Sequence, residues 1–324
     1  MPSGFRQLTR LTKLGLFVVG CRGDDTRISE LETLDMLSGD MNITNLKYMQ
    51  DPANADRASL KRKNNIKHLV LDWSRGETEK ELVLNMVMEQ YLAVLNALEP
   101  PSKLEETLIY YYGGPCLPRW MRKQTHDSSC WEGTMLKQTS PCQLLYLTRM
   151  TLQEISNLKH MQGLVDLHLL NYLKLFGLPN LEDMWTTITG SEIREYLRIA
   201  GSNDRTQLPE SMRSFTSLQD LNIHEACCRN GLENCWNPND GQPPSNQSIG
   251  RLTSLTYLTI GCNNLKQLPE TIQHLMSLRA LKWSERGALT ALPEWIGKLS
   301  ALHRIFCPTV LCHSMPARVH KTPY

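Results

Sequence analysis

Histidines and cysteines are the residues that could do chemistry here, and they fall into two groups. The groups are His224, Cys227, Cys228 and Cys235, and then His303, Cys307, Cys312 and His313. Zinc prefers thiolate and imidazole ligands, but structural zinc sites pair them at short CxxC-type spacings that neither group has. Cys307 also lies at the end of an apolar strand-like run, where a thiol packs as a small hydrophobic side chain. We therefore predict no metal site and no cofactor.

Catalytic motifs are missing from the sequence as well. It contains no GxSxG, no HExxH and no pair of carboxylates at a fixed spacing. Gly20-Cys-Arg-Gly23 does not replace the GxxxxGK[ST] of a phosphate-binding loop. Asp72 and Asp220 flank predicted strands, where a charge is usually just a solvated surface group. The sequence therefore predicts a protein that is not an enzyme.

Composition narrows the class of protein and its surroundings. The 324 residues are 41% hydrophobic and carry a formal charge of +2, with no basic run clustered enough to follow a phosphate backbone. This argues against nucleic acid as the main partner. The first 21 residues hold only a short apolar patch, too short for a signal peptide or a membrane span. We expect a cytoplasmic or nuclear protein with reduced cysteines that is not secreted.

A repeat with a period of about 23 residues runs through the second half of the chain. LTYLTI at 255–260 aligns with LQDLNI at 218–223, LRALKW at 278–283 and LHRIFC at 302–307. A Leu-Pro-Glu anchor recurs in the same register at 208–210, 268–270 and 292–294. Residues 255–265 match the LxxLxLxxNxL pattern of a leucine-rich repeat, including Asn263 at the turn. The repeat predicts strand, turn and return segment in succession.

The physics of the pattern predicts the fold class. Alternate apolar residues of LxL face inward, whereas the residues between them face solvent. One repeat cannot bury enough apolar surface to fold alone, so neighbours must stack. We predict an α/β leucine-rich-repeat solenoid, or horseshoe. Its concave face is a parallel β-sheet, and short helices, 3₁₀ turns and loops form its convex face.

The repeat can be traced upstream with less regularity. Earlier strands are predicted at 11–16 (LTKLGL), 42–43, 66–71 (IKHLVL), 104–109 (LEETLI), 144–147 (LLYL), 164–169 (LVDLHL) and around Leu197. A helix is predicted after the third strand, where Thr78 and Glu81 form a capping box and Pro100 ends the run. Residues 122–143 and 226–248 break the rhythm and are predicted to be projecting loops. The chain is predicted to be one domain, 1–324, of about eleven repeats.

Candidate protein-binding residues are those between the inward positions, because strand alternation puts them on one exposed surface. Mixed polar, aromatic and basic groups of this kind suit protein contact. Tyr257 and Arg279 are the strongest candidates by residue type. A second candidate is Trp236 on a polar loop, for which packing against the solenoid edge is an equal alternative. The full set is Gln219, Asp220, Asn222, His224, Thr256, Tyr257, Thr259, Arg279, Lys282, Ser284, His303, Arg304 and Trp236.

Two blocks go beyond the generic repeat. DPANADRASLKRKNNIKHLVLDWS at 51–74 and EPPSKLEETLIYYYGGPCLPRW at 99–120 resemble the early repeats of plant coiled-coil nucleotide-binding leucine-rich-repeat disease-resistance proteins, as does LTKLGLFVVG followed by ISELETL. The resemblance implies a recognition region acting in innate immunity. Its partner would be a pathogen effector, a guarded host protein or the nucleotide-binding domain of a resistance protein. That family's coiled coil and ATPase are missing here, and Met1-Pro2 resembles an anchor inside a repeat array.

Three hypotheses follow from these observations. The first is a protein-recognition module of plant defence that binds its partner through the concave face. The second is a cytosolic leucine-rich-repeat scaffold unrelated to immunity, against which the blocks at 51–74 and 104–120 argue. The third is a truncated resistance-gene product without independent activity, because an uncapped solenoid end exposes apolar surface.

Overall fold

The chain forms two compact units in a computed structural model. Unit 1 comprises Met1–Leu170 and Leu181–Ser191, and unit 2 comprises Asn171–Asn180 and Glu192–Tyr324. The residues that the structure describes are 4–20, 27–74, 88–121, 144–161, 164, 167–182, 188, 193–201, 214–224, 247–261, 268, 270–283, 292–307 and 320–323. The predicted loop at 122–143 lies outside these residues. So does the break at 226–248, except for its last two residues, which begin a short helix.

Unit 1 contains five parallel strands that pair in sequence order. They are β1 (Leu16–Val18), β2 (Ser38–Thr44), β3 (Asn65–Asp72), β4 (Glu106–Tyr110) and β5 (Arg149–Gln153). Between them lie two helices, α1 (Pro52–Asp56) and α2 (Met88–Ala97). The predicted convex helix is present as α2, whereas its predicted capping box at Thr78 and Glu81 lies outside the described residues.

Unit 2 repeats the same arrangement with seven strands. They are β6 (Tyr172–Phe176), β7 (Tyr196–Ala200), β8 (Asp220–His224), β9 (Tyr257–Gly261), β10 (Ala280–Trp283), β11 (Arg304–Cys307) and β12 (His320–Pro323). Each pairs in parallel with the next, without a register shift. A short helix, α3 (Gln247–Gly250), precedes β9. Strand β12 was not predicted, because HKTP lacks the apolar alternation.

The inward side chains of β1 to β11 form the core, as the repeat predicts. In β9, Leu258 and Ile260 are buried, and Leu221 and Ile223 lie beside them on β8. Each such side chain contributes about 2–3 kcal/mol when it is fully buried. The four tryptophans predicted to be core are all buried, namely Trp73, Trp120, Trp283 and Trp295.

Three upstream strands lie later in the chain than the sequence predicts. The predictions were 11–16, 144–147 and 164–169, whereas the strands are β1, β5 and β6. The leucines at 144, 147, 164 and 167 are buried, but they belong to turns closed by i to i+3 hydrogen bonds. Such turns space apolar residues three apart, as LxxL does. The outward exposure of Leu16 and Leu169 shows that the registers at 11–16 and 164–169 were wrong.

Two described return segments of unit 2 are 3₁₀ turns. They are Glu270–His274 and Glu294–Lys298, and each begins at the glutamate of a Leu-Pro-Glu anchor. Ile272 and Leu275 lie fully buried three residues apart, as predicted. Each turn therefore presents an apolar face to the back of the sheet. In unit 1 the corresponding 3₁₀ segments include Ile28–Leu31, Leu46–Tyr48, Leu60–Arg62 and Arg119–Met121.

The block at 99–120 braces α2 against β4. Tyr112 is buried, donates its hydroxyl to the Cys116 carbonyl at 3.1 Å and meets the Trp73 ring edge-on at 5.4 Å. A Cβ at Gly114 would lie 2.0 Å from the Tyr112 hydroxyl oxygen, so a side chain there would collide with the buried ring. Trp120 Nε1 donates to the Leu95 carbonyl at 2.9 Å. These contacts explain the glycines and aromatics of the block.

The block at 51–74 contains a buried cation. Asp51 caps α1 by accepting a hydrogen bond from the Ala53 amide at 2.9 Å. Lys63 is fully buried, and its Nζ lies 3.5 Å from Asp35 Oδ1. Burial lowers the pKa of Lys63, while Asp35 opposes that shift. Lys63 is therefore a buried residue whose charged end faces Asp35.

Candidate protein-binding face

Outward residues of β6 to β11 form the surface of the unit 2 sheet, which we call the unit 2 face. Register pairing sorts these residues into rows across the strands. The first row is Tyr172, Tyr196, Asp220, Tyr257, Ala280 and Arg304. The second row is Lys174, Arg198, Asn222, Thr259, Lys282 and Phe306. The third row is Phe176, Ala200, His224 and Gly261. Aromatic and cationic side chains dominate the first two rows.

Most of the sequence-predicted residues lie on or beside this face. Asp220, Asn222, His224, Tyr257, Thr259, Lys282 and Arg304 occupy outward strand positions. Gln219, Thr256, Arg279 and His303 directly precede the strands, and the first three accept backbone hydrogen bonds from the next strand along. Ser284 and Trp236 lie outside the described residues. The structure thus brings eleven of the predicted residues onto one side of the sheet or to its rim.

Thr259 corrects one of these predictions. It lies on the outward side, but only 5% of its surface is exposed. The reason is its size, because the longer Asn222 and Lys282 are its register neighbours on β8 and β10. Strand alternation assigns the side of the sheet on which a residue lies, whereas exposure also depends on the side chains next to it. Thr259 therefore lies on the outward side of the sheet but beneath its longer neighbours.

A tyrosine pair at the β6 end of the face was missed by the sequence reasoning. The rings of Tyr172 and Tyr196 stack with centroids 4.3 Å apart and planes 10° apart. Lys174 Nζ lies 5.1 Å from the Tyr172 centroid and 5.9 Å from that of Tyr196, a cation–π arrangement with both rings. The signal was present in the sequence as YLKLF at 172–176 and YLRIA at 196–200. The wrong register at 164–169 concealed it.

The electrostatics of the face centre on Asp220. Burial raises its pKa to about 6. Its Oδ1 is shielded from water and has no hydrogen-bond partner among the described residues, and the same is true of Asn222 Oδ1 and Arg198 Nε. Burial also raises the pKa of Tyr196, and the charges of Tyr172 and Asp220 add to that shift, whereas Arg198 opposes it by its charge and by a side-chain hydrogen bond to Tyr196. The face therefore contains partly desolvated polar atoms whose hydrogen-bonding capacity is unused.

Unit 1 presents a different outward surface on β1 to β5, which we call the unit 1 face. One row holds Asp40, His68, Glu106 and Arg149, and the next holds Leu16, Asn42, Val70, Leu108 and Thr151. His68 Nδ1 lies 2.5 Å from Asp40 Oδ1, and Lys67 Nζ lies 2.5 Å from Glu105 Oε1 at the rim. Burial, with Asp72 and Glu106, raises the pKa of Tyr110. Acidic and apolar groups are prominent here, and Asp40 and Glu105 each have a side-chain partner within the chain.

The described part of the chain contains neither a cluster of metal ligands nor a membrane-spanning helix. No group of three or more His, Cys, Asp or Glu side chains there could hold a metal ion. Of the two histidine and cysteine groups, His224 ends β8, His303 directly precedes β11 and Cys307 ends β11, while the other five members lie outside the described residues. No described helix is long and apolar enough to cross a lipid bilayer.

Comparisons with known proteins agree with this architecture. Residues 28–178 match the R13L1/DRL21 LRR family. The chain is 28% identical over 276 residues to disease resistance protein RGA2 of Solanum bulbocastanum, which covers 82% of this chain and 27% of that protein. It is 33% identical over 122 residues to putative disease resistance protein RGA1 of the same species, covering 38% of this chain and 11% of that protein. The chain thus spans about a quarter or less of these relatives.

One solved structure supports the fold. A chain of the glycosylated Toll–Spatzle complex of Drosophila superposes with a TM-score of 0.50 at 14% identity, covering 92% of this chain and 36% of that one. At this identity the likeness establishes the fold alone. With the parallel strands of both units, it confirms the predicted leucine-rich-repeat solenoid. The matches to curated proteins confirm the other prediction: this chain is a leucine-rich-repeat protein similar to the repeat region of plant disease-resistance proteins.

Proposed function

We propose that this protein is a non-catalytic recognition module of plant defence that binds a protein partner through the unit 2 face. The partner is a pathogen effector, a guarded host protein or the nucleotide-binding domain of a resistance protein. The observation that carries the proposal is the set of unused hydrogen-bonding atoms beside stacked tyrosines on that face. Tyr and Arg are enriched where protein interfaces concentrate their binding energy. We place the protein in the cytoplasm or the nucleus.

The unit 1 face supports this choice by contrast. Its His68 and Asp40 satisfy one another, as do Lys67 and Glu105 at its rim. A surface whose polar groups are already paired gains less binding free energy from a partner, because existing contacts must first be broken. A surface with unpaired polar atoms beside aromatic side chains gains more, since binding supplies the missing hydrogen bonds. The unit 2 face is accordingly the better binding surface.

Photocrosslinking tests the proposal directly. Tyr196 is replaced by benzoylphenylalanine, and the purified chain is irradiated in extracts of healthy and infected leaves. The matched control carries the same group at Tyr146, which is 53% exposed in a turn of unit 1. We expect a discrete protein adduct from position 196 that position 146 does not give. Equal adduct patterns at both positions would refute binding through the unit 2 face.

A pull-down separates the candidate partners. A separately expressed nucleotide-binding domain of a resistance protein is incubated with the chain and with a variant whose outward unit 2 residues are scrambled. Association with the wild type above that control identifies an intramolecular type of contact supplied by a second chain. The absence of such association removes the nucleotide-binding domain and leaves the effector or the guarded host protein.

A further inference from the structure

Two cations lie on neighbouring strands of the unit 2 face. Lys174 and Arg198 are register partners on β6 and β7, and strands in a sheet lie about 4.8 Å apart. Neither forms an ion pair with a carboxylate among the described residues. Lys174 is instead held above the Tyr172 and Tyr196 rings. Two cations on neighbouring strands attract an anion, and the attraction is stronger where water is partly excluded.

Both a hydrogen-bond donor and hydrogen-bond acceptors lie beside the cations. Arg198 Nε can donate, while Asp220 Oδ1 and Asn222 Oδ1 can accept, and all three atoms are shielded from water without a described partner. Leaving such groups unpaired costs stability, which a ligand can restore. One donor and two acceptors complement the C=O and N–H groups of a peptide backbone. A nucleic acid backbone offers mainly acceptors and would leave Asp220 and Asn222 unpaired.

We propose that the patch formed by Tyr172, Lys174, Tyr196, Arg198, Asp220 and Asn222 binds an extended, acidic segment of the protein partner. The proposal rests on the proposed function and specifies the chemistry of what is bound. A carboxylate of the segment lies between Lys174 and Arg198, and an adjacent apolar or aromatic side chain packs on the tyrosine pair. Backbone N–H groups donate to Asp220 and Asn222. Charge complementarity selects the segment, and the tyrosines contribute contact area.

Phage display with the full chain as bait tests the proposal. Random short peptides are selected, and the consensus peptide is then measured by fluorescence anisotropy. We expect Asp or Glu to be enriched at one or more positions. Replacing each by its amide should weaken binding about tenfold, the usual effect of losing a hydrogen bond to a charged group. Raised salt should also weaken the binding of the acidic peptide, because the charge contact is partly exposed to solvent.

Matched variants locate the contact. Lys174→Gln and Arg198→Gln are each expected to weaken the consensus peptide about tenfold, whereas Lys174→Arg keeps the charge and should stay within about threefold. The control is Lys298→Gln, which removes an exposed cation from a return segment of the same unit. It should leave the affinity unchanged. Urea unfolding of each variant shows whether a loss of binding reflects a loss of folding.

Three outcomes would overturn the proposal. The first is selection of peptides without acidic residues, or equal binding of the amide form, while Tyr196→Ala abolishes binding. That result removes the acidic segment but leaves the proposed function standing. The second is selected peptides that no substitution on the unit 2 face affects, which refutes both. The third is an oligothymidylate that binds more tightly than any peptide and depends on the same residues, which makes the patch a nucleic-acid surface.

Discussion

The unit 1 face and the unit 2 face are built from the same sequence repeat, but they differ in charge and in how many of their polar groups have hydrogen-bond partners. The unit 1 face carries Asp40, Asp72 and Glu106 against Arg149, with apolar residues between them. The unit 2 face carries Lys174, Arg198, Lys282 and Arg304 against Asp220, together with three tyrosines. The repeat specifies the inward positions and leaves the outward ones free to vary. The two faces therefore carry different outward side chains, although the same pattern of inward residues supports both.

The difference also shows what makes a surface suited to binding. On the unit 1 face, the His68 ring contacts Asp40, and Lys67 forms an ion pair with Glu105 at the rim. In unit 2, Arg198, Asp220 and Asn222 keep shielded atoms without described partners. Groups that are satisfied within the chain stabilise it slightly. Groups left unsatisfied are available to a partner.

If the two units share the same repeat, the stability of each should depend equally on its inward residues. Leu69 of β3 and Leu258 of β9 are each fully buried at equivalent positions. We expect Leu69→Ala and Leu258→Ala each to reduce the free energy of unfolding by about 3 kcal/mol, since both leave a cavity. Urea titration followed by circular dichroism measures the loss. A difference of more than about 2 kcal/mol between the variants would show that the frames are not equivalent.

The buried contact between Gly114 and Tyr112, after β4, separates residues that stabilise the fold from residues that form the binding face. Gly114→Ala forces a methyl group into the buried Tyr112 ring, and we expect a loss of about 2–3 kcal/mol of stability. At Gly297 no atom lies within 4 Å of the added Cβ. Gly297→Ala should therefore stay within about 1 kcal/mol of the wild type. Thermal unfolding of both variants decides, and equal losses would mean that the Tyr112 contact does not restrict residue 114.

Asp220 should reveal the cost of an unsatisfied group on the unit 2 face. Its pKa is raised to about 6, above its usual value near 4 in an unfolded chain. The native state therefore binds the proton more tightly, and its stability falls as pH rises from about 4 to 6. We expect Asp220→Asn to remove this loss, about 1 kcal/mol after allowance for solvent screening. Urea midpoints of both proteins between pH 4 and pH 7 test this, and parallel pH profiles would contradict it.

The paired charge on the unit 1 face should matter least. Asp40 meets His68 on an exposed part of the sheet. Asp40→Asn is expected to change stability by no more than about 0.5 kcal/mol, the usual contribution of an exposed pair. The same urea titration at pH 6 measures it. A larger loss would mean that the pair is more than a surface contact.

The sequence predicted the frame well where the pattern is redundant. The alternation at 218–223, 255–260, 278–283 and 302–307 placed β8 to β11 correctly, because each combines LxxL with LxL in one register. Upstream, turns with leucines three apart imitate the first half of that pattern. The register then depends on the LxL half alone, which was misread before β6. The tyrosine pair of β6 and β7 was missed for this reason.

Exposure and unsatisfied groups could not be predicted from the sequence. Thr259 was assigned to the correct side of the sheet, yet its neighbours cover it. Asp220 is predicted to face outward, but its raised pKa comes from burial, and its register partners on β7 and β9 are Tyr196 and Tyr257. Such properties arise from residues separated by one or more whole repeats. A single strand contains no signal for them.

Charge reversal on each face tests the central claim most directly. The photocrosslinked partner, once identified, is titrated against the double variant Lys174→Glu/Arg198→Glu and against Asp40→Lys/Glu106→Lys. We predict that the unit 2 reversal weakens binding about a hundredfold or more, because two charge contacts become repulsive, while the unit 1 reversal leaves the affinity within about threefold of the wild type. Loss of binding with the unit 1 variant and retention with the unit 2 variant would contradict the account.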